Sequence, residues 1–374
     1  MHTVNPLRLI CKAILFALII NFSYSWVNVQ LGRISIYNWL VPGRLRFPYG
    51  DQINMETVHS ISVFGDFEAM FGSHIISGMS KPSAEYRVIL LGDSSVWGFG
   101  VHASENLAAQ INGLHLVTCD NRQVKAYDFG FPEASSVRDL LIIVRSNQYN
   151  PDLIVSFVTL DSFLNQEKNA DWLTGHVNDL KAVASKYQLN ASLDLPVAHP
   201  SIWDGTIWAN RKIIKKVVLL QINGLTWAGT SVDWYDSPFQ ASRIQLPHSM
   251  ALGTEYQSPR DKSQLLRALE LDTIRVGKEE VGRSAFLVVN EPIQIYAGAN
   301  SKLRYNVAYP RWAYDAYRTA LLKYTNNQKI SYLDLWNTLP VNAFSSDSSV
   351  HLSQRGEQLV AELLKAAILR SACH

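Results

Sequence analysis

The residue of this chain with the most chemical content is a serine placed where an apolar run breaks. Ser94 follows Arg87-Val-Ile-Leu-Leu-Gly-Asp and is followed by Ser95-Val-Trp-Gly98. A hydroxyl at such a break, beyond the carboxyl end of a strand, faces the edge where ligands bind in open α/β sheets, and its own N–H points the same way. Serine is a poor nucleophile until a base takes its proton and a third group orients the base. The base expected here is His351, in Ser346-Asp-Ser-Ser-Val-His-Leu-Ser-Gln-Arg-Gly356, with Asp347 four residues before it to fix the imidazole tautomer. Ser95 is the fallback nucleophile if the turn is shifted by one residue. The other histidines lack this context and read as structural or surface residues.

Further groups gather at the ends of other expected strands. Gly130 closes one, where a bare backbone N–H can approach an oxyanion, and Thr159-Leu-Asp-Ser162 closes another. Val288-Val-Asn-Glu-Pro292 ends a third, so Asn290 and Glu291 open onto the same edge, and Arg304 and Asn306 follow in Asn300-Ser-Lys-Leu-Arg-Tyr-Asn306. These suit a hydroxyl-rich or anionic substrate, although a salt-bridged surface loop explains Arg304 equally well.

The elements that must hold these groups are legible from periodicity. Short apolar runs at 88–91, 123–130, 151–158, 285–290 and 330–335 read as buried parallel strands. Helical patterns lie between them at 105–113, 136–146 and 311–325. A last helix runs from Ser353, its expected N-cap, with Leu359, Leu363 and Leu364 facing inward. Alternation of this kind argues for an open parallel sheet with helices on both faces. It breaks between 166 and 280, read as an inserted cap. Inside that insert, residues 211–229 join a basic cluster to an apolar run. A helix lying on a membrane surface and an ordinary cap helix buried in a core both fit it, and the cap helix is the expectation.

Arg8 and Lys12 precede an apolar run beginning at Ala13. Residues 1–31 therefore read as a signal anchor, with a cleaved signal peptide as the alternative, and either places the remainder outside the cytoplasm. Residues 32–84 read as an extended lead-in to the domain at 85–374. The 374 residues carry 47% hydrophobic and 18% charged side chains and a net charge of +2, with no basic patch to suggest a nucleic-acid partner. No cysteine–histidine spacing suggests a metal, and no cofactor is expected. Cys119 and Cys373 are free to pair, which spacing alone leaves undecided.

Together, Gly92-Asp93-Ser94 after a strand, Gly130 after the second strand, and Asp347 with His351 before the last helix resemble the SGNH (GDSL) hydrolase superfamily, over residues 85–165 and 281–374. The resemblance implies a flavodoxin-like three-layer α/β sandwich. It implies Ser94 as nucleophile, Asp347 and His351 as its partners, and the N–H groups of Ser94 and Gly130 as oxyanion donors. The chain departs from the family twice. Thr159-Leu-Asp-Ser162 stands where the family has Gly-x-Asn-Asp, so an acid, Asp161, replaces a donor and Thr159 is left to supply a hydroxyl. Asp347 is also one residue farther from the histidine than usual, with Ser348 in the family's acid position. Anchored proteins of this shape resemble the partners of membrane-bound O-acyltransferases. The implied functions are an extracytoplasmic esterase or O-acyltransferase acting on acyl esters of a glycan, or a catalytically silent scaffold that binds glycan or a membrane partner. A lipid esterase would use the same residues.

Overall fold

The computed structural model describes residues 5–26, 43–47, 67–132, 134–164, 180–187, 189, 203, 205–230, 261–298, 300–345 and 348–373. Its centre is a five-stranded, wholly parallel sheet in the order β2-β1-β3-β4-β5. The strands are β1 (Glu85–Leu91), β2 (Gln123–Asp128), β3 (Leu153–Val158), β4 (Ala285–Asn290) and β5 (Ser331–Asp334). This is the flavodoxin-like order that the resemblance implies, with its topological switch between β1 and β3.

The strands are apolar on both faces because both faces are covered. Val88 and Leu90 of β1, Val155 of β3 and Val289 of β4 pack on one side, against Leu107, Ile111, Leu364 and Ile368. Ile89, Leu91, Ile154 and Val288 pack on the other, against Ile142, Ile274, Tyr314 and Leu321. Period two along each strand thus feeds two separate cores.

The helices, in chain order, are α1 (Pro6–Ser23), α2 (Phe67–Ser73), α3 (Ser94–Trp97), α4 (Leu107–Gly113), α5 (Ser136–Ser146), α6 (Leu160–Leu164), α7 (Arg211–Thr230), α8 (Lys262–Ala268), α9 (Asp272–Glu280), α10 (Arg311–Asn327) and α11 (Gln354–Ala372). Ser353 caps α11 as expected, its hydroxyl accepting from the Gly356 N–H at 3.3 Å. Leu364 faces the core but Leu363 does not. The inward stripe runs Val360, Ala361, Leu364, Ala367, Ile368, with Leu359 packed half-buried at its edge. The end of the stretch read as an insert belongs to the sandwich, since Gly277 of α9 lies against Ile143 and Phe286. Most of that stretch lies outside the described residues.

Helix α1 is 18 residues long with a mean hydropathy of 1.7, and none of its side chains is buried. At 1.5 Å per residue it spans roughly 27 Å, close to a bilayer's hydrocarbon thickness. By length and composition it suits either a signal anchor or a signal sequence.

Cys119 and Cys373 form a disulfide across 254 residues, with Cα atoms 5.7 Å apart. It ties the end of α11 to the loop before β2. Closing so long a loop restricts the unfolded chain, so Cys373→Ser is expected to lower the unfolding free energy by about 2–4 kcal/mol in a denaturant titration under oxidising conditions.

Candidate active site

Strand β1 ends at Gly92, where the chain must turn sharply. A Cβ there would lie 2.5 Å from Val96 and 3.0 Å from Phe157 of the adjacent strand, so only glycine lets α3 fold back this tightly. Asp93 caps the turn through Oδ1, which accepts the Ser95 N–H at 2.8 Å. Ser94 is the first residue of α3, and its hydroxyl meets His351 Nε2 at 2.9 Å, across 257 residues of sequence. Its own N–H makes no hydrogen bond among the described residues.

The histidine is held by its loop. The Ser348 hydroxyl accepts the backbone N–H groups of Val350 (3.2 Å) and His351 (3.1 Å), and the His351 carbonyl accepts from Ser345 N–H at 2.9 Å. The Phe99 ring sits 4.8 Å from the imidazole, centroid to centroid. Ser348 therefore shapes the loop, its hydroxyl engaged with the backbone. Asp347 lies outside the described residues. Ser95, the fallback nucleophile, is buried with its hydroxyl aimed at the Val350 carbonyl at 3.4 Å, which leaves Ser94 as the serine on the imidazole.

The oxyanion side differs from expectation. The Gly130 N–H donates to Asp128 Oδ1 at 2.8 Å and is thereby engaged. Gly130 is needed here for space, since a Cβ would lie 2.5 Å from Trp97 N. Thr159 is buried, with no hydrogen bond of good geometry to its hydroxyl. The hydroxyl of Tyr309 faces both Thr159 and Asp161. Burial pushes the Asp161 carboxyl up to about 6. The bond from Tyr309 opposes that shift and the Asp93 charge adds to it. Tyr309 was not foreseen, because only the fold of its loop brings it to the end of β3.

Four expected substrate residues sort differently. Asn290 is buried and braces strands, donating to Asp334 Oδ1 at 2.8 Å and accepting from the Tyr317 hydroxyl at 3.0 Å. Asn306 is also buried, its Oδ1 accepting the N–H groups of Ala308 and Tyr309 at 2.9 Å each, so it shapes the loop that presents Tyr309. Arg304 is buried against the Asn306 and Val307 carbonyls. These three are taken up by the protein itself. Glu291 is the exception: it is buried, with Oε1 lacking a partner, and feels the charges of Asp93 and Asp139.

The turn carrying Ser94 is gripped from the N-terminal side. Arg46 donates through one nitrogen to the carbonyls of Trp97 (3.2 Å), Gly98 (3.0 Å) and Val101 (3.1 Å), and its guanidinium stacks 3.6 Å above the Trp97 ring. The Trp97 indole N–H donates to the Phe47 carbonyl at 2.8 Å. The lead-in was read as an irregular approach, and no periodicity marks an arginine that satisfies carbonyls 50 residues away. Arg46→Ala would remove three hydrogen bonds to carbonyls beside a buried ring, at a cost of about 1–3 kcal/mol. A slower reaction of Ser94 with a fluorophosphonate is expected, with cooperative unfolding retained.

Several other carboxyls are buried. Burial raises Asp128 to about 8 and Asp139 to about 6, the latter opposed by its 2.9 Å ion pair with Arg138. Burial also raises Glu291 and Glu357. Each group holds its proton more tightly folded than unfolded. Their contribution is therefore full below the ordinary carboxylate pKa of about 4 and is lost as pH rises through the folded values. The thermal midpoint is expected to be lower at about pH 8.5 than at about pH 5.5.

No family model matches the chain, and no curated protein matches it. Solved structures similar to it include a lipase/acylhydrolase from Enterococcus faecalis, at 13% identity over 76% of this chain and 95% of that one, TM-score 0.35. An acetylxylan esterase from Geobacillus stearothermophilus is similar at 12% identity over 76% and 94%, TM-score 0.37. An aryl esterase from M. smegmatis is similar at 10% identity over 76% and 99%, TM-score 0.34. Likeness this distant carries no weight for activity, which rests on the atoms of the site.

Proposed function

We propose that the protein is a serine-dependent acyl-ester enzyme of the SGNH type, held at the outer face of a membrane by α1. The observation that carries this is the 2.9 Å contact between Ser94 Oγ and His351 Nε2 at the C-terminal edge of a parallel sheet. In the first half-reaction a bond forms from Ser94 Oγ to the ester carbonyl, and the serine proton passes to Nε2. The bond to the alcohol breaks, and that proton leaves with the alcohol. In the second half-reaction the oxygen of water or of a sugar hydroxyl bonds to the acyl carbon and its proton passes to His351. The bond to Ser94 Oγ breaks, the serine takes that proton back, and the acid or new ester leaves. Hydrolysis and transfer share every residue and differ only in the acceptor. Aromatic side chains in the region between 166 and 280 and the extracytoplasmic placement favour an acylated polysaccharide as substrate, with an integral-membrane acyltransferase as partner if the acyl group is handed on.

A silent, glycan-binding scaffold is the competing reading. Its support is the engaged Gly130 N–H and the acid at position 161. An ionised Asp161 opposes a developing oxyanion, and a missing donor costs roughly a hundred- to a thousand-fold in rate.

A fluorophosphonate probe is expected to label the wild type and to miss Ser94→Ala; equal labelling of both would remove the nucleophile from the account. Asp161→Asn replaces a repelling charge by a donor, so it is expected to raise the rate of ester turnover about tenfold or more above pH 6. Because the Asp161 proton leaves near 6, the gain should shrink below that pH, where the native acid is itself neutral.

A further inference from the structure

Helix α7 was expected to bury its apolar stripe in a cap. Among its described side chains, one apolar face is instead open to solvent. Val218, Ile222 and Leu225 recur at helical spacing on one face and are 51%, 57% and 51% exposed. The same face carries Lys215 and Arg211 one and two turns earlier, both exposed. One exposed face thus begins basic and continues apolar, which is costly in water and suits the boundary between headgroups and acyl chains.

The start of this helix lies at the end of α1. The Trp208 N–H donates to Asn21 Oδ1 at 3.0 Å, and the Trp203 ring meets Phe22 edge-on at 5.0 Å. A Cβ on Gly205 would lie 2.7 Å from that of Ser25, so the two segments touch backbone to backbone. Trp203 and Trp208 are nonetheless 65% and 71% exposed. Tryptophans concentrate where a chain leaves the hydrocarbon for the headgroups. The C-terminal end of α1 is where a span with a basic N-terminal flank emerges on the outer side.

We propose that α7 is a second membrane contact, lying along the bilayer surface beside the exit of α1. Its occupant is lipid: anionic headgroups against Arg211 and Lys215, and the upper acyl chains against Val218, Ile222 and Leu225. This rests on the anchor reading of α1 and goes beyond it, because a single span leaves the domain free to turn about the membrane normal. A second contact fixes which way the domain faces, and with it the direction from which a membrane-borne substrate or acyl donor reaches Ser94.

The test uses the full chain with Cys11→Ser, reconstituted in vesicles of phosphatidylcholine and phosphatidylglycerol. One new cysteine at a time carries a polarity-sensitive fluorophore: Ile222→Cys or Val218→Cys on the face in question, Ile14→Cys within α1, and Glu362→Cys on exposed α11 as the aqueous control. At 222 and 218 the expected result is a blue shift, loss of most emission to a quencher carried at shallow depth on lipid, and protection from aqueous iodide. Iodide quenching equal to that at 362 overturns the proposal. So does protection from both quenchers, which would mean that protein covers the face. The Ile14 label separates the two readings: out of the bilayer, it removes the anchor; in the bilayer with 222 and 218 in water, it removes the contact of α7 alone.

Discussion

The contact between the Ser94 hydroxyl and the His351 imidazole is the constraint on which the rest of the structure turns. Its partners are 257 residues apart in sequence, and loop-closure entropy sets a high cost on holding them within hydrogen-bonding distance. The cost is met by rigid elements. Buried β1 carries the serine to the sheet edge, and α11, packed on the opposite face from α10, sets the loop that carries the histidine. The disulfide between Cys119 and Cys373 anchors the far end of that helix. Arg46 and Phe47 hold the serine turn from the N-terminal side, through the carbonyls after it and the Trp97 indole.

Around that contact the sheet edge is more acidic than an oxyanion calls for. Asp93, Asp161 and Glu291 each feel one another's charge or a neighbour's, and burial holds all three toward the neutral form. Arg138 is the buried cation that moderates Asp93 and Asp139. A site of this kind gains donors when its acids keep their protons and loses them when the acids ionise. The proposed chemistry of Ser94 is thereby expected to depend on pH through Asp161, whose carboxyl burial pushes up to about 6.

The sequence made the sheet and the reacting pair legible for a simple reason. Continuous apolar runs ending in Gly-Asp-Ser or in an asparagine are what a two-faced parallel strand requires, and strand β4 was found to the residue. A histidine just ahead of a serine-capped helix is a similarly local signal. Asn290, Asn306 and Gly130 are engaged within the protein because side-chain and backbone commitments are not local. Asn290 is spent on Asp334 and Tyr317, Asn306 on its own loop, and Gly130 on Asp128. Tyr309 and Arg46 became visible only once the chain had folded back on itself. In α7 the sequence showed a basic cluster joined to an apolar run, but periodicity gives a face and not what covers it.

Mass spectrometry of intact, acid-quenched protein after brief exposure to an activated acetate ester tests the central claim most directly. The account predicts one acetyl group per chain, mapped to the peptide that contains Ser94, accumulating quickly in the wild type and lost in His351→Ala. An acetyl group on a different residue, or accumulation on Ser94 that is equally fast without the histidine, would contradict it.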